Sequence, residues 1–405
     1  MTRKIVNAVL SLVAALVFFT GPLFAADTVT HTAALNRLDA GHEQILVRAL
    51  ESISRGEIEK AIESVSLIID AYPNYRLAQL MYADLLMAKS YPIRDFGNFQ
   101  SAPYEQIRSL LSEARTRWQY YQNPLPINKI PSSLVQLNES QQHAVVVDLR
   151  TSRLYVYKNR DGVPELIHDL YISIGKNGIG KDVEGDQKTP VGVYFVTGFI
   201  DPEKLPDLYG SGAFPIDYPN PWDRRNGRTG YGIWLHGTPS NTFSRPPLDS
   251  DGCVVLSNSE LEMIAPYLRE DTPFILTEDI EWLDQTEWQS RQSDYALLVD
   301  QWRNDWESRN PELYLDHYSP QYSGLGMDYE AWVEYKRRVN PSKDYIKVGI
   351  SEKSIFQYPG EENMVIVTFR QEYRSDNLLR NTVKRQYWRM EQDGRWRIVY
   401  EGSAS

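Results

Sequence analysis

The chain is poor in the residues that build crosslinks and metal sites. It has one cysteine, Cys253, among 405 residues, so an intrachain disulfide cannot form. Its six histidines form no cluster with cysteine, which argues against a zinc site of the usual ligand spacing. No block of Lys or Arg interrupts a net charge of −11, so nucleic acid is not an expected partner. What the chain does have is ordinary globular material. With 42% hydrophobic and 24% charged residues it is not a wholly disordered polymer. Aromatics reach 12%, enough for cores and for sugar- or peptide-facing grooves. At about 100–200 residues per domain, the length implies two to four domains.

The first 26 residues read as a secretory signal. Arg3 and Lys4 form a positive end, Ile5 to Phe19 is mostly apolar, Gly21 and Pro22 break the helix, and Ala25 and Ala26 are small. The alternative is a retained membrane anchor, for which the run is short against the ~20 apolar residues of a spanning helix. Cleavage after Ala25 removes two positive charges, taking −11 to −13. No cysteine follows the run, so a lipid anchor is excluded. Export gives Cys253 its interest: an unpaired thiol in an oxidising compartment is either hidden in a core or used.

Beyond the signal the texture changes three times. Residues 27–122 read as helical, with apolar spacing of three and four in Ile45–Leu50 and Ala61–Ile69 and a further helix starting at Ala78. Gly56 and Pro73, seventeen residues apart, bracket a stretch like half a tetratricopeptide unit. A lone unit is not a stable array. A helical cap, a homodimer contact and a groove for other wall proteins all fit this segment. Residues 123–139, with Pro124, Pro126 and Pro131, read as a Pro-rich linker. Residues 140–278 carry short β-branched or aromatic runs at 143–149, 153–157, 166–174, 191–199 and 274–277. One helix is expected at 258–268, capped by Ser257 or Asn258. Residues 290–405 offer an amphipathic helix at 295–306, then strands at 345–350, 364–373, 383–390 and 396–400, an α+β pattern. His317 stands alone there and reads as structural. The expected protein is therefore multidomain: an α-helical N-terminal region, a mostly β middle domain and an α+β C-terminal domain.

Chemistry concentrates in the middle domain. Sixteen residues separate His236, in Trp234-Leu235-His236-Gly237-Thr238, from Cys253, in Ser250-Asp251-Gly252-Cys253-Val254-Val255-Leu256-Ser257-Asn258. A thiol with pKa near ~8.5 is mostly protonated at neutral pH. A neighbouring imidazole can take its proton and return it to a leaving group. Gly252 allows close backbone approach, so the N–H groups of Gly252 and Cys253 are the expected oxyanion donors. Either residue alone is more often structural; together, before a helix, they point to a cysteine nucleophile.

These motifs resemble the signature of the L,D-transpeptidase catalytic domain, the YkuD family. His236-Gly237-Thr238, eleven residues, then Ser250-x-Gly252-Cys253-Val254-x-Leu256-x-Asn258 carry the resemblance. Thr189-Pro190-x-Gly192-x-Tyr194 and Gly227-Arg228-Thr229-Gly230 support it, over residues 140–278. The resemblance implies a β-rich domain in which Cys253 attacks a peptidoglycan tetrapeptide stem and His236 is the base. It further implies that the Gly237 carbonyl orients the imidazole, Ser250 shapes the loop, and Tyr218 and Arg228 line the substrate cleft. The sequence departs from the pattern at Asp251, where many members have histidine, and at Val255, where many have arginine. Residues 290–405 resemble the cone-shaped nuclear-transport-factor-two-like fold. The whole order is similar to the L,D-carboxypeptidases that shape helical bacteria. The implied activity is a periplasmic L,D-transpeptidase. The same thiol acting with water would make an L,D-carboxypeptidase, and a non-catalytic wall-binding scaffold is the third reading. No metal or organic cofactor is implied.

Overall fold

The computed structural model describes residues 41–91, 97, 103–126 and 128–404. The expected signal, residues 1–26, lies outside the described residues. Among the described residues no helix is long and apolar enough to cross a membrane.

Among the described residues four helices come first: Gly41–Ser54, Ile58–Ala71, Arg76–Ala88 and Tyr104–Gln122. The first ends where Gly56 takes a left-handed φ of 72°, and the Gly56 and Glu57 N–H groups return to the Ile53 and Ser52 carbonyls. That closure satisfies two carbonyls the helix end would otherwise leave unpaired. Leu46, Ala49 and Ile53 share one face and bury against Ala61, Val65 and Ile68 of the second helix.

The middle domain is built on a five-stranded sheet, ordered Val163–Tyr171, Arg153–Arg160, His143–Asp148, Pro273–Thr277, Gly192–Phe195. His143–Asp148 and Pro273–Thr277 run parallel; the other neighbours are antiparallel. The central strand is apolar on both faces. Val145 and Val147 enter one core, and Ala144 and Val146 enter another. The first core lies against a smaller sheet ordered Val254–Val255, Trp234–His236, Ala213–Pro215, and against the helix Asn258–Ile264. That helix is shorter than the 258–268 expected, because Pro266 tightens the following turn into a 3-10 segment, Ala265–Tyr267.

The C-terminal domain pairs a long helix, Gln285–Glu307, with a seven-stranded sheet. The helix starts ten residues before the expected 295, because Asp284 and Glu287 form a reciprocal capping box. His317 is buried, with Nε2 2.7 Å from Asp305. The second core of the middle domain is shared with this sheet: Val193, Phe195 and Ile275 meet Phe356, Met364, Ile366 and Tyr387. The expected linker is corrected here. Leu134–Gln136 is the edge strand of the seven-stranded sheet, pairing with Ile346–Gln357, and Ile130–Pro131 pairs with Trp282–Leu283. Partners more than 150 residues away give these short runs a strand conformation that local proline content does not signal.

The helices dock on the middle domain through buried charge and one aromatic plug. Arg153 binds Glu43 at 2.8 Å and Asp169 at 2.6 Å; Arg117 binds Glu43 at 2.8 Å and Glu113 at 3.0 Å. Removing one member of such a pair costs about 3–5 kcal/mol, since the other charge stays buried. Phe243, from the chain between His236 and Cys253, enters the helical core with its ring 4.1 Å from Tyr72 and 4.8 Å from Tyr75. Phe243→Ala should therefore cost about 3–5 kcal/mol in denaturant unfolding, and it should lower activity in the folded protein by loosening residues 237–247. A neutral effect on both would remove the plug from the account.

In the C-terminal domain Lys336 is buried, with Nζ 4.4 Å from the Trp306 and Trp332 rings and 4.8 Å from Tyr314. Burial, and then the Lys384 charge, push its pKa from 10.5 down to about 7. Lys336 thus holds its proton less tightly in the fold than in the unfolded chain, so stability rises with pH between those two values. Lys336→Met should raise Tm at about pH 6–7 and flatten the dependence of Tm on pH up to about 9. An unchanged slope would show that Lys336 does not set it.

Candidate active site

Two short strands bring the thiol and the imidazole together. Val254–Val255 pairs in parallel with Trp234–His236, placing Val254 opposite Leu235 and Val255 opposite His236. Leu235 and Val254 point into the core. His236 and Val255 therefore face the other way, and Cys253, two residues before Val255, shares their face. The Leu256 N–H donates to the His236 carbonyl at 3.0 Å and prolongs the register.

The loop before Cys253 is held by hydroxyls. Ser250 Oγ donates to the Cys253 carbonyl at 2.6 Å and accepts from the Gly252 N–H at 3.1 Å. Thr189 Oγ1 donates to the Gly252 carbonyl at 3.0 Å and accepts from the Gly175 N–H at 2.9 Å. Gly252 has φ of 124°, and a Cβ there would stand 2.8 Å from the Lys188 carbonyl, so glycine is required. One expectation is corrected. The Gly252 N–H is engaged by Ser250 and is not a free oxyanion donor, which leaves the Cys253 N–H as the remaining one of the expected pair.

His236 is 3% exposed, and its Nδ1 lies 2.7 Å from the Gly237 carbonyl. A carbonyl only accepts, so Nδ1 carries the proton and Nε2 keeps the basic lone pair. Asn258 holds the carbonyl's surroundings. Its Oδ1 accepts from the Ser211 and Thr238 N–H groups at 3.0 Å, and its Nδ2 donates to the Thr238 carbonyl at 2.8 Å. The cap of the following helix is Ser257, in a box with Glu260, which frees Asn258 for this bracing. The Tyr209 ring stands edge-on to His236, centroids 5.0 Å apart.

Burial sets the protonation of both groups. It lowers the His236 pKa to about 4 and raises the Cys253 pKa to about 11. The thiol donates to the Gly232 carbonyl at 3.4 Å. The Trp234 N–H and the Arg245 charge favour the thiolate, while the Asp251 charge opposes it. Burial thus holds both groups toward their neutral forms.

Tyr218 and Arg228, expected along the cleft, are placed as braces. Tyr218 is 5% exposed, and its hydroxyl donates to the Thr229 carbonyl at 3.0 Å. Arg228 Nη1 binds the buried Asp223 at 2.9 Å, and its other nitrogens reach Asp182 and Glu361 at 3.7 and 3.9 Å. Asp223 closes a capping box under the helix Pro221–Arg225 and needs that counter-charge. At the two departures from the motif, Asp251 is exposed and paired with Lys176 at 2.9 Å, and Val255 is buried. Thr189 and Asn258 were not singled out from sequence as site residues, although both sit inside the matching motifs. Among the described residues no group of three His, Cys, Asp or Glu is placed to hold a metal ion.

Comparison with known proteins finds matches for two of the domains. Residues 142–276 match the model of the L,D-transpeptidase (YkuD) catalytic domain, and residues 296–402 match the Cds6 C-terminal NTF2-like domain. Bd1075 of Bdellovibrio bacteriovorus is 30% identical, with TM-score 0.61 over 68% of this chain and 98% of that one. The helical cell shape determining protein Pgp2 from Campylobacter jejuni is 26% identical, with TM-score 0.56 over 67% and 95%. No curated protein sequence matches. A β-rich catalytic domain joined to a cone-shaped partner is the architecture these findings share. The chain belongs to the peptidoglycan L,D-transpeptidase/carboxypeptidase family that combines a YkuD domain with a C-terminal NTF2-like domain.

The protonation states give a direct check. Alkylation of Cys253 by iodoacetamide should accelerate about tenfold per pH unit from about pH 7 to 10, following the thiolate fraction. A rate already flat from about pH 5 would show a preformed thiolate–imidazolium pair instead.

Proposed function

We propose that this chain is an exported, periplasmic cysteine L,D-transpeptidase acting on tetrapeptide stems of peptidoglycan. The observation that carries the reading is the pairing of Val255 with His236, which puts Cys253 on the imidazole's face while Gly237 holds Nδ1 and leaves Nε2 free. The thiol gives its proton to His236 Nε2 as sulfur bonds to the carbonyl carbon of the stem's third residue. The Cys253 N–H is the backbone donor available to the oxyanion. The amide C–N bond then breaks, and His236 returns the proton to the departing D-Ala amine. An acceptor amine attacks the thioester, its proton passes through His236, and the free thiol is restored.

Water in place of the amine is the second reading, an L,D-carboxypeptidase. It is favoured by the likeness of 67% of this chain to Pgp2, a helical cell shape determining protein. A role in cell shape for this chain rests on the same likeness.

Purified disaccharide-tetrapeptide, incubated with the protein and read by mass spectrometry, tests both. A dimer joined through third residues, or exchange of D-Ala for another D-amino acid, means transfer. Tripeptide alone means trimming. Cys253→Ala should reduce either product by about 10⁴-fold or more. Neither product from the intact protein, or full activity in Cys253→Ala, would sink the proposal.

A further inference from the structure

Val255 is buried and apolar, so that position offers a stem peptide no charge. The segment between His236 and Cys253 carries an arginine instead. Arg245 follows Phe243 and Ser244, both seated in the helical core, where Ser244 Oγ donates to Glu113 at 2.8 Å and accepts from Arg117 at 3.0 Å. The Tyr171 hydroxyl donates to the Arg245 carbonyl at 3.1 Å. Two residues later the Pro247 carbonyl accepts from the Ile174 N–H at 2.9 Å. The backbone of Arg245 is thus fixed before, at and after the residue.

Its side chain is weakly engaged. It is 11% exposed, and among the described residues its carboxylate contact is the half-exposed Asp249, 3.9 Å away; Nη1 is 3.4 Å from the Asp249 carbonyl. The other buried arginines of this region, Arg117 and Arg153, meet carboxylates at 2.6–3.0 Å. A guanidinium has five N–H donors, and this one keeps most of them for a guest. Two neighbouring cations are taken. Lys176 binds Asp251 at 2.9 Å, and Lys181 is buried on Asp186 at 2.8 Å. Its contacts with Asp249 set the guanidinium beside the residue that precedes Ser250, whose hydroxyl holds the Cys253 carbonyl.

We propose that Arg245 binds the free C-terminal carboxylate of the substrate's last residue, and so selects peptides that end one residue beyond the attacked bond. The proposal rests on the reaction proposed above and adds its specificity determinant. A planar guanidinium pairs with a carboxylate through two parallel hydrogen bonds, a fit that an ammonium gives only in part.

The test compares a tetrapeptide stem with its C-terminal amide, which is alike in all but charge. The intact protein should prefer the acid by about tenfold to a hundredfold in kcat/KM. Arg245→Gln should lower kcat/KM for the acid by that factor, mainly through KM, and leave the amide unchanged. Arg245→Lys should retain part of the preference, which also shows that the loop still folds. Equal turnover of acid and amide by the intact protein would overturn the role of Arg245 and leave the reaction standing. Equal loss on both substrates in Arg245→Gln would overturn it too, by showing that Arg245 acts on the thiol or the loop. Turnover of neither substrate by the intact protein would overturn the reaction, and this proposal with it.

Discussion

Two backbone pairings, Val254 with Leu235 and Val255 with His236, are the constraint on which the site depends. They are short, and a slip of one residue would turn Cys253 into the core and a valine toward the imidazole. The surrounding hydrogen bonds oppose that slip. Ser250 and Thr189 tie both ends of the Gly252 peptide, and Asn258 bridges the turn after His236 to the turn at Ser211. Leu235 and Val254 are buried in the main core, so a register error would also expose apolar area. His236 and Cys253 themselves contribute little to this order. Their neighbours place them, and those neighbours are the motif residues that carry no chemistry of their own.

The same burial that orders the pair suppresses its charge. His236 and Cys253 are pushed in opposite directions, each toward its neutral form. A neutral thiol is a poor target for adventitious oxidation, because the thiolate is the reactive form. In the reaction proposed above, charge develops during attack, where the Trp234 N–H can stabilise sulfur and the Gly237 carbonyl can stabilise an imidazolium through Nδ1–H. Groups held rigidly in a water-poor site do this without reorganising, and that is where preorganised dipoles act most strongly.

The local part of this design was legible in the sequence. Strand runs in the middle domain, the His236 and Cys253 motifs and the cap at Ser257 all follow from periodicity, turn chemistry and spacing over a few residues. What was not legible depends on distant partners. Leu134–Gln136 reads as proline-bounded linker until Ile346–Gln357 supplies its ladder. Phe243 lies in a polar, proline-flanked stretch that reads as loop, yet its ring sits among Tyr72 and Tyr75. Arg228 and Tyr218 read as cleft residues until the buried Asp223 and the Thr229 carbonyl engage them. The Gly252 N–H could not be assigned from sequence at all, since nothing in residue order says which way a peptide group turns.

These distant contacts make one structure of three regions. The central sheet is apolar on both faces, so it needs a cover on each. The small sheet and helix close the face toward Cys253, and the C-terminal sheet closes the other. The helices join the sheet where Glu43 binds Arg153, and they reach the loop before Cys253 through Phe243. The residues between His236 and Cys253 therefore answer to two constraints, since their ends belong to the catalytic strands and their middle belongs to the helical core. A loop fixed in that way can present a charged side chain at a set place without a strand or helix beneath it. Arg245, two residues after Phe243, is carried by a loop held in this way. A loop free at its middle would lose that side chain's position to conformational entropy.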